Sequence, residues 1–196
     1  MVGRRAYNFM YRTWAPWEGG PRAELVDLVT SGRIAPGRAI DLGCGSGANA
    51  IFLAEHGFDV TGVDFSPVGL EKARRATPPS LSVEWLQGDL TATSIPGVSG
   101  TFDLLVDYGV LDDLGGPGQE AMAATVLRLS HPGSVFLMWC FYDEIPWWKR
   151  RGARFPGLAV GGEQRLFGES FDIDRLPEPA SGSGFACFLM RRTDRD

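Results

Sequence analysis

Apolar positions in this chain follow two alternating periods. Short, nearly continuous runs, RAIDLG, FDVTGVD, LSVEWLQGD and TFDLLVDYG, are separated by stretches in which apolar residues recur every three or four positions. The runs read as buried strands and the spaced stretches as amphipathic helices. PRAELVDLVTSGRI sets Leu25, Leu28 and Val29 at helical spacing and stops at Gly32, a residue suited to leave a helix. Ser46 to His56 predicts a helix ended by Gly57, and Ser66 with Pro67 suits the N-cap and first position of a helix through Arg75. GQEAMAATVLRLS predicts another helix, leading into a fifth strand, GSVFLMWCFY. Strands spaced by helices predict parallel βαβ units with helices on both faces, a doubly wound α/β fold. FDIDRL and FACFLMRR are joined only by PEPASGSG, too short for a crossover helix, so an antiparallel C-terminal hairpin is predicted to close the sheet. Residues 143–162, DEIPWWKRRGARFPGLAVGG, have no clean period and are predicted to form an insertion over the carboxyl ends of the strands. With residues 1–20 as an N-terminal lid segment, the whole of 1–196 is predicted to be a single domain.

Composition changes this picture mainly by exclusion. A net charge of -5, with no long Lys/Arg run, argues against nucleic acid, whose binding needs clustered cations. The three cysteines, Cys44, Cys140 and Cys187, are too widely separated to suggest a disulfide framework or a paired-Cys zinc site, which fits a reducing cytoplasm. Arg4 and Arg5 could begin an export signal, but no apolar segment of the required length follows them. No apolar run of about 18 residues is present, so no membrane span is predicted.

The chemistry is concentrated in AIDLGCGSGANAIFLAEHG, Ala39 to Gly57. Gly43, Gly45 and Ala48 satisfy the dinucleotide pattern in which helix N–H groups hold a pyrophosphate. Asp41, two residues before the first glycine, would repel a pyrophosphate and favour a ligand carrying cationic groups. A nicotinamide-dependent reductase is further disfavoured because the chain has no Tyr-x-x-x-Lys pair.

IDLGCGSGANAIFLAEHGFDVTGVDFSP resembles the first two motifs of class I S-adenosylmethionine-dependent methyltransferases, and the resemblance continues through GDL at 88–90, FDLLVDYGVLDDL at 102–114 and LSHPGSVFLM. It covers roughly residues 20 to 142, and the terminal strand pair also suits that family. WAPWEGGPRAELVDLV is similar, more loosely, to the lead-in of thiopurine and heterocyclic-toxin methyltransferases. The resemblance implies a Rossmann-like, seven-stranded mixed sheet, S-adenosyl-L-methionine as cofactor, and methyl transfer to O, N or S of a small, aromatic or apolar molecule. It places Gly43, Cys44, Gly45 and Gly47 in the loop against the methionine part of the cofactor, with Asp41 near its amino group. Asp64 would accept the ribose hydroxyls, Phe65 with the adjoining Ser66 would line the adenine side, Asp89 would accept the adenine amino group, and Leu90 would add apolar contact. Asp107 and Tyr108 would lie beside the transferred methyl group, Asp107 touching the cofactor as well, and Trp17 would reach the cofactor from the lead-in.

Each placement has a plainer counterpart. Asp41 and Asp64 could be solvated strand-end acids, Asp89 a turn residue, Asp107 the cap of the next turn and Tyr108 a packing residue. Cys44 reads as packing rather than a nucleophile, since no histidine stands near it in sequence. His56 and His131 read as a helix-end residue and a turn residue. Asp112 and Asp113 read as a solvated helix start rather than a metal site, and no metal is predicted. Trp14, Trp17, Trp147, Trp148 and Phe155 are too numerous for loops unless they cover something, so they are expected to help form a lid over an apolar acceptor. Lys149, Arg150 and Arg151 read as a solvated run that leaves an anionic acceptor open. The partner is a small molecule, the oligomeric state is not legible, and a cofactor-binding protein without transferase activity, a sensor or structural partner, stands as the alternative.

Overall fold

The computed structural model describes residues 3–13, 15, 18–142, 157–177 and 184–194. Trp14, Trp17, Trp147, Trp148, Phe155 and the run Lys149 to Arg151 lie outside the described residues.

Strands β1 (Arg38–Leu42), β2 (Asp59–Asp64), β3 (Val83–Gln87), β4 (Phe102–Tyr108), β5 (Ser130–Phe141), β6 (Phe171–Arg175) and β7 (Phe185–Arg192) form one seven-stranded sheet in the order β3-β2-β1-β4-β5-β7-β6. β1 pairs in parallel with both β2 and β4, so the chain direction of growth reverses at that junction, and β7 runs antiparallel to its neighbours β5 and β6. The predicted doubly wound sheet and its antiparallel terminal pair are both present. β5 begins at Ser130, three residues before the predicted Gly133. Its register against β4 jumps between Phe102 and Leu104, and Ser134 Oγ donates to Phe102 O at 2.6 Å across the irregularity.

Helices α2 (Ala23–Thr30), α3 (Ala48–Glu55), α4 (Pro67–Ala76) and α5 (Gly116–Leu129) fall where the spacing puts them, although α3 starts two residues later than Ser46. Ser66 Oγ accepts the Gly69 N–H at 3.1 Å with Pro67 opening the helix, the expected cap of α4. Two helices are absent from the sequence-based reading: α1 (Arg4–Thr13), inside the lid segment, and α6 (Gly162–Phe167), which begins at the last residue of the predicted insertion.

Because successive strand residues point to opposite faces, the core is two layers separated by the sheet. On one side Leu25 and Leu28 of α2 and Phe52 and Leu53 of α3 pack on Ala39, Leu104 and Leu137. On the other, Met122 and Val126 of α5 and Phe167 of α6 pack on Ile40, Leu105 and Phe136. Leu158, at the end of the predicted insertion, is fully within this second layer and bridges to Tyr142, so that end of the segment is core rather than lid. Every central strand is thus covered on both faces, and the open positions of the sheet are the carboxyl ends of β1 to β4.

Candidate functional site

The turn after β1 is tight for a reason visible in its neighbours. The N–H groups of Gly43 and Cys44 both donate to Val63 O on β2, at 2.7 and 3.0 Å. This folds the loop back over the sheet with Gly43 and Gly45 in the left-handed region at φ 81° and 53°. Side chains there would be strained and obstructed: a Cβ on Gly45 would come 2.6 Å from the Tyr11 hydroxyl of α1, and one on Gly43 would collide with Val110. The loop ends at Gly47, the N-cap of α3.

Asp64 ties this loop to the next crossover. Its Oδ2 accepts the Gly45 N–H at 2.9 Å and its Oδ1 the Ser66 N–H at 2.7 Å, leaving each oxygen with a further lone pair. Asp41 lies beneath the loop, 1% exposed, with the Ala50 N–H of α3 directed at its carboxylate and its Oδ2 without a hydrogen-bond partner among the described residues. Burial, then the charge of Asp64, pushes its carboxyl up to about 7. Cys44 is buried beside both acids, and burial holds its thiol well above the ordinary range, so it is not a thiolate nucleophile.

A cavity of about 470 Å³ opens over these strand ends. One part is walled by Gly43, Asp64, Phe65, Gly88, Asp89 and Leu90, and another by Gly109, Asp112, Trp139, Phe141 and Phe185. Tyr7 and Tyr11, four residues apart on one face of α1, and Arg22 before α2 also line it. Phe65 meets Tyr7 edge to face at 5.2 Å. Asp89 Oδ1 accepts both the N–H and the hydroxyl of Thr91, at 2.8 and 2.6 Å, so the residue is at once the turn-former and part of the wall.

Three of the residues read from the sequence, Asp107, Tyr108 and Ser66, are not among those that line this cavity. Asp107 is fully buried; its Oδ1 and Oδ2 accept the N–H groups of Val110 and Leu111 at 2.9 and 3.1 Å, capping the 3-10 turn Leu111–Asp113 and placing it behind the cavity wall. Tyr108 does not face this cavity. Its hydroxyl donates to Glu24 Oε2 at 3.0 Å, its ring stacks on Trp139, and it lines a smaller recess of about 60 Å³ with Cys44, Gly45 and Asn49. Ser66 is wholly buried, and its hydroxyl donates to Asn8 Oδ1 at 2.6 Å while capping α4, so it binds α1 to the site from below.

Asp112 and Asp113 are not solvated: they are 1% and 7% exposed and both line the cavity. Asp112 Oδ2 accepts the Phe141 N–H at 2.8 Å, Asp113 Oδ2 accepts the Tyr7 hydroxyl at 2.7 Å, and Oδ1 of each has no hydrogen-bond partner among the described residues. Burial pushes Asp112 up to about 6 and raises Asp113 and the Tyr7 phenol as well. Among the described residues no group of His, Cys, Asp and Glu is arranged to hold a metal ion, and no helix is long and apolar enough to cross a membrane. The residues that the sequence-based reading missed are therefore Trp139, Phe141 and Phe185 of the cavity wall and the helix α1, and the two acids after β4, read as solvated, are buried. The only available signal for α1 was the i, i+4 spacing of Tyr7 and Tyr11.

A family model described as a methyltransferase domain matches residues 39–133, which hold the loop, Asp64, Asp89 and the acids after β4. The chain is 32% identical over 155 residues to 2-methyl-6-phytyl-1,4-hydroquinone methyltransferase of Synechocystis, covering 78% of this chain and 45% of that protein. It is 26% identical over 129 residues to 2-heptyl-1-hydroxyquinolin-4(1H)-one methyltransferase of Mycobacteroides abscessus, covering 64% of this chain and 56% of that protein. The chain thus spans about half the length of these two curated relatives. Among solved structures, the N-methyltransferase NodS of Bradyrhizobium japonicum, in complex with S-adenosyl-L-homocysteine, superposes with a TM-score of 0.76 at 19% identity, covering 97% of this chain and 98% of that one, a likeness of fold. On its motifs, its sheet and these relatives, the chain belongs to the class I S-adenosylmethionine-dependent methyltransferases.

Proposed function

We propose that this chain transfers a methyl group from S-adenosyl-L-methionine to an O, N or S atom of a small, flat, largely apolar molecule. The observation that carries the reading is Asp64: a buried carboxylate in the cavity wall, held at both oxygens by backbone N–H groups of the glycine loop and of the α4 cap. The residues present suit the cofactor. The loop admits no Cβ at Gly43 or Gly45, Asp41 Oδ2 is buried without a partner beneath it, and the cavity volume lies in the range of small-molecule sites, about 300–1,000 Å³.

On this reading the spare lone pairs of Asp64 accept the ribose hydroxyls, Phe65 and Leu90 bracket the adenine, and the free oxygen of Asp89 accepts its amino group. Asp41 balances the amino group of the methionine part through the loop. When bound, S-adenosyl-L-methionine would supply an electrophilic methyl group on a sulfonium, open to in-line attack by the acceptor's heteroatom with the neutral thioether as leaving group. Trp139, Phe141 and Phe185 hold the acceptor flat, and Tyr7 and Tyr11 of α1 close the cavity against water, so that orientation and desolvation supply most of the rate. The ring acceptors in the names of the two curated relatives, a hydroquinone and a hydroxyquinolinone, support an aromatic acceptor.

Calorimetric titration tests the cofactor: S-adenosylmethionine and S-adenosylhomocysteine bind and NAD does not. A screen of phenols, thiols, N-heterocycles and carboxylates, read as S-adenosylhomocysteine release, then tests transfer. Binding of NAD without either sulfur compound overturns the reading.

A further inference from the structure

The half of the cavity away from the glycine loop holds two buried carboxylates that each keep one oxygen without a hydrogen-bond partner among the described residues: Asp113, whose other oxygen is held by the Tyr7 hydroxyl, and Asp112, whose other oxygen is held by a backbone N–H. Asp112 follows β4 in the 3-10 turn, and its Oδ2 is fixed by the Phe141 N–H, so the carboxylate cannot rotate without losing that bond. Its Oδ1 is left buried with no partner among the described residues, a state that costs free energy unless a donor is supplied. Asp112 lines the cavity at the Gly109 turn, with Oδ1 just beneath the surface: the Cβ that Gly109 lacks would sit 3.7 Å from Asp112 Oδ1 and 3.9 Å from Trp139 Cζ3. Glycine at this point, at φ 86°, leaves open the space between the carboxylate and the indole. Trp139 in turn stacks on Phe185 at 4.2 Å, and Phe141 meets Phe185 at 4.3 Å with the rings tilted by 42°, so an aromatic cluster borders the fixed carboxylate.

We propose that Asp112 Oδ1 is the catalytic recognition point for the acceptor, selecting an aromatic molecule that presents an O–H or N–H on its ring, and receives that proton during transfer. The inference rests on the methyltransferase reading above and adds the acceptor's chemical class to it. In the reaction the acceptor heteroatom forms the new bond to the methyl carbon, the sulfur–methyl bond breaks with its electron pair staying on sulfur, and the acceptor's proton passes to Asp112 Oδ1 and from there to solvent. Charge does not accumulate, since a sulfonium and a carboxylate become a thioether and a carboxylic acid. Burial, and after it the charge of Asp113 in the same turn, raises the Asp112 carboxyl and makes it a better proton acceptor than an exposed carboxylate; Asp107 of β4, the Tyr7 phenol and the Cys140 thiol are the other titratable groups beside it. A carboxylate-bearing acceptor would meet repulsion from the same pair. Arg22, the cation in the wall, lies over the rings of Tyr108 and Trp139 at 5.3 Å from each.

The test uses the whole chain loaded with S-adenosylhomocysteine and three probes of one ring shape: 2-naphthol, 2-methoxynaphthalene and 2-naphthoate. Calorimetry is expected to show 2-naphthol binding at least about tenfold tighter than either of the others, the scale of a hydrogen bond to a charged group. Asp112→Asn must keep its carbonyl towards the Phe141 N–H and so turns an NH2 to the cavity. That variant is expected to lose the 2-naphthol preference while S-adenosylhomocysteine affinity and the circular dichroism spectrum stay as in the parent. The methoxy comparison on the parent chain stands even if the variant does not fold. Preference for 2-naphthoate, no binding of 2-naphthol to the loaded chain, or an undiminished preference in a folded Asp112→Asn overturns the proposal. Failure of S-adenosylhomocysteine itself to bind is a separate result, which overturns the methyltransferase reading instead.

Discussion

Asp41 and Asp107 are both buried carboxyls at the ends of adjacent central strands, yet their surroundings predict opposite responses to the same substitution. Asp107 accepts an N–H at each oxygen, and an amide offers only one acceptor, so Asp107→Asn turns an NH2 against a backbone N–H. Its cost is expected to be about 1–3 kcal/mol, seen as a lowered unfolding midpoint in denaturant. Asp41 has one oxygen without a partner and a carboxyl raised to about 7 by burial and by Asp64. Above that pH the native chain carries a buried charge there that asparagine removes, so Asp41→Asn is expected to melt higher than the parent near pH 8 while binding S-adenosylmethionine more weakly. A lower melting temperature at that pH would show Asp41 to be stabilising as an anion. Asp64→Ala removes the acceptor of two backbone N–H groups as well as the proposed ribose contact. Calorimetry is expected to show a loss of about 2–4 kcal/mol in S-adenosylhomocysteine affinity. Unchanged affinity in a folded variant removes Asp64 from the site. At this scale the sequence was informative where a residue's type matched its environment, as at Asp64, and silent where it did not. Asp112 and Asp113 look like surface acids because two adjacent charges ordinarily are, and only the closing of α1 and β5 over them makes them interior.

The element that gives the site its roof is α1, and it is poorly equipped to exist alone. It has ten residues, no acidic side chain in its first turn, and Arg4 and Arg5 at the end where the backbone dipole is already positive. Its helical state depends on docking: Tyr7 to Asp113, Asn8 to Ser66, and Tyr11 against the glycine loop. That is why it was not legible from periodicity, whereas α2, with three buried apolar residues at regular spacing, was. A helix held only by contacts around a cavity is stabilised further when the cavity fills. Trypsin cleavage after Arg12 is therefore expected to slow when S-adenosylhomocysteine is present and to quicken in Tyr7→Phe, measured by mass of the released fragment. Equal rates in all three samples would make α1 a fixed part of the fold.

For the molecule as a whole, the parallel sheet was readable because strands covered on both faces are continuous apolar runs, and the order reversal at β1 and β4 follows from right-handed crossovers. Less readable was the pH response that comes from enclosing so many acids. Among the described residues the displaced carboxyls all move upward: Asp41 to about 7, Asp107 to about 8, Asp112 to about 6, and Asp64 and Asp113 in the same direction, with burial the leading cause each time. From the ordinary carboxylate value of 3.8 up to about 8 the native chain thus holds more protons than the unfolded one, and stability falls as pH rises through that window. Thermal unfolding is expected at a higher temperature near pH 5.5 than near pH 8.5, the difference shrinking in Asp41→Asn; the reverse order would mean these acids are solvated. The strand order also bears on synthesis. β7 is the last of the seven strands to leave the ribosome, but it is inserted between β5 and β6. A nascent chain ending before Phe185 has made β6 with no neighbour to receive it and left the apolar edge of β5 unpaired, an invitation to pair with another chain. Vectorial folding can assemble the glycine loop and the first four strands early, but the sheet closes only once β7 has emerged, and the interval between the two is when its unpaired edge is most exposed to aggregation and to chaperones.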